Sequence, residues 1–276
     1  MTKKIIKGIS IFLFIFIIIV VILLCKAFII EPHQITTKKI DLTQDKIKKD
    51  IKIAVFSDTH IGSDYSIDDL NKAISAINNE TPDLVFFIGD LIDNYQNNKI
   101  DSRDISNALG NINSKLGKYA VFGNHDYGGG AEHHYENIMN AGDFTVLKNN
   151  NITIYGQNLT ITGIDDFLIG YGNIAAANSL PNSSYNIVLC HEPDKVDELL
   201  NKNVDLYLGG HSHGGQINLP FVQHEFYPYL GKKYTYGLYN VNNIKTYVNP
   251  GLGTTKIAAR LFVPPEITII TLKQEK

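Results

Sequence analysis

The chain has 276 residues, a net charge of −3, nine His and two Cys. A balance so close to neutral excludes a general pull toward nucleic acid, whose phosphates are gripped by dense Lys and Arg. Two cysteines in such different settings, Cys25 in an apolar run and Cys190 in a predicted strand, exclude a disulfide-built scaffold.

Gly8 to Cys25 carries no charge, with IFLFIFIIIVVILLC at its centre. Eighteen helical residues rise about 27 Å, close to the roughly 30 Å of a bilayer's hydrocarbon core. Lys3, Lys4 and Lys7 precede the run, which favours residues 1–7 in the cytoplasm and the rest of the chain outside. The basic stretch Lys38–Lys52 opposes that bias, but long domains translocate largely regardless of charge. A cleaved signal peptide is the rival reading. The run is longer than a usual signal core, no small-x-small site follows it, and Leu24 stands where a lipoprotein has a small residue. The expectation is an uncleaved single-pass anchor over 8–25, a Lys-rich tether over 26–50 with Pro32 early in it, and a catalytic domain over 51–276. About 225 residues are ample for one well-buried core.

Beyond residue 50, short apolar runs alternate with helical stretches. IKIAVFSD (51–58) predicts a buried strand and SIDDLNKAISAINNE (66–80) a helix. A strand follows over 83–90, a helix over 101–115, and a strand over 118–126. Ala131–Ala141 reads as helical, and three short strands follow between Phe144 and Gly163. NIVLCHEP (186–193) and DLYLGGHSH (205–213) are two more strands, separated by a helix over Asp194–Asn201. Tyr234 to Leu272 is strand-like, with a turn at Asn249-Pro250-Gly251. Such alternation predicts an α/β architecture of sheets covered by helices.

Strand after strand ends in His or Asp, at the position where open α/β sheets build their sites. The segments are Asp58-Thr59-His60, Gly89-Asp90-Leu91-Ile92-Asp93, Gly123-Asn124-His125-Asp126, Cys190-His191-Glu192 and Gly210-His211-Ser212-His213. Singly each is weak, since a lone strand-end His is usually a hydrogen-bonded structural residue. Together they would bury so many polar groups that metal coordination is the economical resolution. Oxygen and imidazole donors without thiolate favour Mn²⁺, Fe or Zn²⁺. Cys190 points to the opposite strand face from His191 and reads as a core residue.

In this order the five segments resemble the calcineurin-like metallophosphoesterases, over roughly residues 51–272. The stretches HSHGGQINLP (211–220) and NPGLGTTKIAARLFVPPEITIITL (249–272) are similar to a bacterial, membrane-associated phosphodiesterase branch, including proteins described as acting at the cell wall or on UDP-2,3-diacylglucosamine. The resemblance implies a β-sandwich of two mixed sheets flanked by helices, in four layers. It implies two divalent metal ions, with Mn²⁺ the first choice. Asp58, His60 and His213 would hold one metal, Asn124, His191 and His211 the other, and Asp90 would bridge them. His125 would serve as proton donor or transition-state stabiliser, oriented by Asp93, and a metal-bridging hydroxide would attack phosphorus. Asp126 reads as a structural turn residue.

Two divalent cations, the carboxylates of Asp58 and Asp90 and one hydroxide sum to +1, which suits a phosphate anion. Asn94-Tyr95 follows Asp93 where phosphoprotein phosphatases usually continue with Arg-Gly, so a phosphodiester or pyrophosphate linkage in an envelope or lipid-linked substrate is expected. Gly128-Gly129-Gly130 forms either a flexible loop over the site or a simple turn. Phe221, Phe226, Tyr227, Tyr229 and Leu230, broken by Pro220, Pro228 and Gly231, suggest an exposed loop that meets a lipid or polymer headgroup. The alternative is a non-catalytic, membrane-anchored wall- or lipid-binding metalloprotein. An intact His125–Asp93 pair argues for the enzyme.

Overall fold

The structure is a computed structural model that describes residues 2–62, 64–97, 99–219 and 227–275. Helix α1 (Thr2–Cys25) leads the chain. It is long and apolar enough to cross a membrane, and no residue of its most apolar 18-residue window is buried. An all-round apolar surface of this kind has no water-compatible face.

Two six-stranded sheets follow. The first holds β1 (Thr36–Gln44), β2 (Ile51–Phe56), β3 (Leu84–Phe87), β4 (Lys118–Ala120), β5 (Phe144–Val146) and β12 (Glu266–Gln274), in the order β1-β12-β2-β3-β4-β5. The second holds β6 (Asn150–Ile154), β7 (Leu159–Gly163), β8 (Tyr185–Leu189), β9 (Leu206–Gly209), β10 (Gly237–Val241) and β11 (Ile244–Val248), in the order β10-β11-β9-β8-β7-β6. Both sheets are mixed. β2 through β5 run parallel while β12 is antiparallel to β2, and β7, β8, β9 and β11 run parallel between antiparallel edges.

Strand alternation builds the layers. Ile53 and Val55 face inward and pack with Ile187, Leu189 and Leu208 between the sheets, while Ala54 and Phe56 face the helices. Helices α2 (Ile67–Asn79), α3 (Ser102–Gly110) and α4 (Tyr135–Ala141) cover the first sheet through Leu70, Ile74, Ile105, Leu109 and Met139. Short 3₁₀ segments cover the second through Val196 and Leu199. The four-layer arrangement is the one the sequence implied.

Several local expectations need correction. Residues 36–44 are not tether. They form edge strand β1, paired in parallel with β12 from Thr36↔Glu266 to Gln44↔Gln274. Its alternation is faint because an edge strand needs only one apolar stripe, here Ile40 and Leu42, and its exposed Lys38 and Lys39 discourage further pairing. The helix expected over Asp194–Asn201 is a 3₁₀ segment, Pro193–Leu199. The segment expected to be helical over Ala131–Ala141 begins as 3₁₀ turns over Asn124–His133, interrupted where Gly129 and Gly130 take φ of 59° and 81°. The strand expected over 118–126 stops at Ala120, because the chain must turn to present Asn124.

Candidate metal centre

All five motif segments follow parallel strands at their C-terminal ends, and the two sheets bring those ends to one rim. Asp58 and His60 leave β2, Asp90 and Asp93 leave β3, Asn124 and His125 leave β4, His191 leaves β8, and His211 and His213 leave β9. Turning sharply out of a buried strand strains the backbone. Asp58, His60, Asp90, His211 and His213 all have positive φ, between 45° and 65°. Non-glycine residues rarely adopt this region, and strain of this kind is held only where surrounding structure enforces it. Gly89 and Gly123 allow the closest approach. A Cβ on Gly89 would lie 2.5 Å from the Gly123 nitrogen and 2.9 Å from His191 Nδ1.

Three overlapping groups result, each with one candidate ligand atom per residue and all within 4.8 Å of one another: Asp58, His60 and His213; His60, Asp90 and His125; and Asp90, His191 and His211. His60 Nε2 lies 3.1 Å from His213 Nε2 and 3.5 Å from Asp90 Oδ2. His191 Nε2 lies 3.1 Å from Asp90 Oδ2 and 3.9 Å from Asp58 Oδ1. Asp90 therefore stands between His60 on one side and His191 on the other. Asn124 lines the same cavity, and its buried Oδ1 has no hydrogen-bond partner.

Surrounding groups fix the ring orientations. His191 Nδ1 donates to the Ile88 carbonyl at 2.6 Å, which leaves Nε2 free toward Asp90. His211 Nε2 donates to the Tyr229 carbonyl at 3.0 Å. Such outer partners set the tautomer that a ligating imidazole needs. Asp58 accepts from the Ser57 hydroxyl, whose oxygen also lies 3.1 Å from Asn249 Oδ1. The Asp126 carboxylate accepts from the backbone nitrogens of Asp90, Leu91 and Gly123, binding two motif loops together. That is the structural turn role read for it from sequence.

The electrostatics are those of anions short of positive charge. Burial raises the Asp58 carboxyl above its ordinary range, more than neighbouring imidazoles lower it. Burial would raise Asp90 too, but His191, His125 and His60 hold it well below. Burial would depress the His191 imidazole, yet Asp90 and Asp58 raise it well above its usual value. His211 is pushed down to about 4 by burial and the neighbouring His191, and His213 is lowered by burial and His60. His191 Nε2 and His213 Nδ1 are buried without hydrogen-bond partners. Buried imidazoles beside carboxylates, with polar atoms left over, fit divalent cations.

His125 sits at the rim. Its Nδ1 lies 2.7 Å from the Asp93 carbonyl oxygen and 3.4 Å from Asp93 Oδ1, and its ring packs edge-on against His60 at 4.6 Å. Asp93 also lies 3.3 Å from His60 Nδ1. The structure thus brings all nine candidate residues together.

A cavity of about 350 Å³ opens over the clusters, walled by Leu168, Ile217, Tyr227, Pro228, Lys256 and Ile257. Of these, only Tyr227 and Pro228 belong to the aromatic loop that the sequence points to as meeting a headgroup. Ile217, Lys256 and Ile257 lay inside stretches used only for resemblance, and no motif separates a wall residue from a core residue. Of the predicted aromatic loop, Tyr229 is exposed and Tyr227 lines the cavity, while Phe221 and Phe226 lie outside the described residues.

A sequence profile for calcineurin-like phosphoesterases matches residues 51–215. The chain is 37% identical over 254 residues to the uncharacterized metallophosphoesterase YkuE of Bacillus subtilis, covering 88% of this chain and 87% of that one. It is 32% identical to an uncharacterized metallophosphoesterase of Campylobacter jejuni, covering 87% of this chain but only 63% of the longer relative. A transmembrane protein with a metallophosphoesterase domain from Danio rerio is 29% identical over 81% of this chain and 53% of its own length.

Proposed function

Because this chain belongs to the calcineurin-like phosphoesterase family, and is on that ground a metal-dependent phosphoesterase, we propose that it hydrolyses a phosphodiester or pyrophosphate bond in an envelope or lipid-linked substrate. The carrying observation is the chain of three overlapping His/Asp groups joined through His60 and Asp90. Asp58, His60 and His213 would hold one divalent cation, Asn124, His191 and His211 the other, with Asp90 between them and Mn²⁺ the first choice. Bound metals would supply Lewis acidity and an acidified water at neutral pH.

The chain's own residues do the rest. Asp58 and Asp90 leave the loaded site with a small net positive charge, which suits an anionic ester. His125 donates through Nδ1 to the Asp93 carbonyl, and when the ring is protonated, which Asp90 favours against the effect of burial, Nε2 can donate a proton or hydrogen bond to a phosphoryl or leaving oxygen. Lys256 at the cavity wall adds a positive charge without closing the mouth. Leu168, Ile217 and Ile257 make the wall more apolar than a site for small soluble phosphates needs. Helix α1 would anchor the protein as a single pass, with Lys3, Lys4 and Lys7 cytoplasmic and the catalytic domain outside.

The test is direct. Full-length protein, purified in detergent with Mn²⁺, is assayed on chromogenic phosphate mono- and diesters. Hydrolysis of the diester and its loss in Asp90→Asn are expected. Equal turnover by Asp90→Asn would remove the site assignment, and turnover of monoesters alone would remove the diester preference.

A further inference from the structure

The turn that follows the apolar helix is bonded to the loop whose residues 255–257 wall the cavity. Beyond Cys25 the chain continues as a π-helical turn, Lys26–Ile30, without leaving helical geometry. Ala27, 5% exposed, gives its carbonyl oxygen to the Arg260 backbone nitrogen at 2.9 Å. Lys26 Nζ lies 4.3 Å above the Phe262 ring and 3.4 Å from Glu31. Arg260 is fully buried and holds its loop through the carbonyls of Gly253, Pro250 and Val263. That loop carries Thr255, Lys256 and Ile257 into the cavity over the metal clusters.

This docking sets a height. Ala27 is two residues past the uncharged run, about 3 Å along a helix axis. The headgroup layer on each side of a bilayer is roughly 5–8 Å deep. Whatever is bonded to Ala27 therefore lies in that layer if α1 spans the core. The surface there suits it. Phe28, Ile29 and Ile30 are 49%, 66% and 56% exposed, and Ile257 and Phe262 are 42% and 47% exposed, beside Lys26 and exposed Lys256. Apolar side chains with flanking lysines are the composition of an interfacial surface facing anionic lipid.

We propose that loop 254–262 lies in the headgroup layer of the bilayer spanned by α1, and that the metal-lined cavity opens onto that layer and takes its phosphate ester from a membrane lipid. The proposal rests on the phosphoesterase and anchor readings above, and it adds the surface and the route. The occupant of the exposed apolar patch is the bilayer itself, because the patch is continuous with the helix that enters it.

The chain contains no Trp, so single reporters can be installed. Full-length Ile257→Trp, Phe262→Trp and Tyr155→Trp proteins are reconstituted into vesicles of phosphatidylcholine and phosphatidylglycerol, with and without bromine on the upper acyl chain. Tyr155 is 91% exposed and lies in the β6–β7 turn, at the end of the second sheet away from the metal clusters. Emission from the first two variants is expected to fall about twofold or more with brominated lipid while the third is unchanged. No quenching at positions 257 and 262, or equal quenching at all three, overturns the placement. A second measurement addresses the route. Phe262→Asn is expected to turn over a soluble chromogenic diester at the parent rate but a vesicle-embedded phosphodiester about fivefold more slowly. Equal rates on both substrates, or an equal loss on both, overturns the lipid route. A parent protein without diester hydrolysis would sink the catalytic reading and leave the quenching result standing.

Discussion

His125 and Asp90 do different work, and substitution separates them. His125→Ala leaves the groups Asp58, His60, His213 and Asp90, His191, His211 in place, so metal content by elemental analysis is expected to match the parent while kcat falls on the order of 10²–10⁴-fold, the range for a lost general acid. Full turnover by that variant would remove His125 from the mechanism. A pH dependence follows from His191. Asp90 and Asp58 raise its imidazole well above the ordinary value, so it holds a proton at neutral pH in the metal-free protein. A ligating imidazole must be neutral, so metal uptake must expel that proton. Affinity is therefore expected to rise with pH up to the raised value and to fall in acid. Titration calorimetry in buffers of different ionisation enthalpy measures the released protons, and uptake with no release would refute the coupling. All nine motif residues could be picked out from sequence because metal and phosphate chemistry restricts residue type. Ser57, Asn249 and the Tyr229 carbonyl could not, since a hydroxyl, an amide or a backbone oxygen at these places has no distinguishing composition.

Among the elements, α2 and β1 illustrate opposite cases. Helix α2 announces itself. Ser66 caps it by accepting from the Asp69 nitrogen, Asp69 reaches back to the Ser66 nitrogen, and Leu70, Ala73, Ile74 and Ile77 repeat at helical spacing on the buried face. Ser66→Ala is expected to cost about 1 kcal/mol and to lower the melting midpoint by about 2–4 °C without changing turnover. An unchanged midpoint would mean that the cap contributes nothing. Strand β1 hides, because Lys-rich polar sequence at a sheet edge looks like tether. Its register with β12 is continuous over Thr36–Gln44. A soluble fragment starting at residue 51 would leave the β12 edge bare, with Ile267 and Ile269 on one face, Ile270 and Leu272 on the other, and a row of unpaired backbone groups as a ready template for pairing. Light scattering is expected to show that fragment aggregating, while one starting at residue 35 stays monodisperse. Equal behaviour would show β1 to be dispensable.

At the scale of the whole molecule, the candidate metal centre draws its residues from both sheets and, once loaded, would clamp them together. Asp58 and Asp90 come from one sheet, and His191, His211 and His213 from the other. Cations bridging them would tie the two sheets at the rim, where buried polar atoms are otherwise left unsatisfied. Chelation is expected to lower the melting midpoint by roughly 5–10 °C, the shift for a ligand held at about 100 times its Kd. Added Mn²⁺ should restore it, and a midpoint indifferent to both treatments would deny the clamp. The sequence by itself determined what was local. Strand ends rich in His and Asp, the apolar N-terminal run and the helix periodicities follow from each residue's own chemistry and its nearest neighbours. Tertiary structure alone decided that residues 36–44 join the sheet, that Leu168 and Lys256 wall the cavity, and that the turn after the apolar helix is bonded to the loop carrying Lys256. Those facts depend on which distant segments meet. A contact between Ala27 and Arg260 leaves no trace in the composition around either residue.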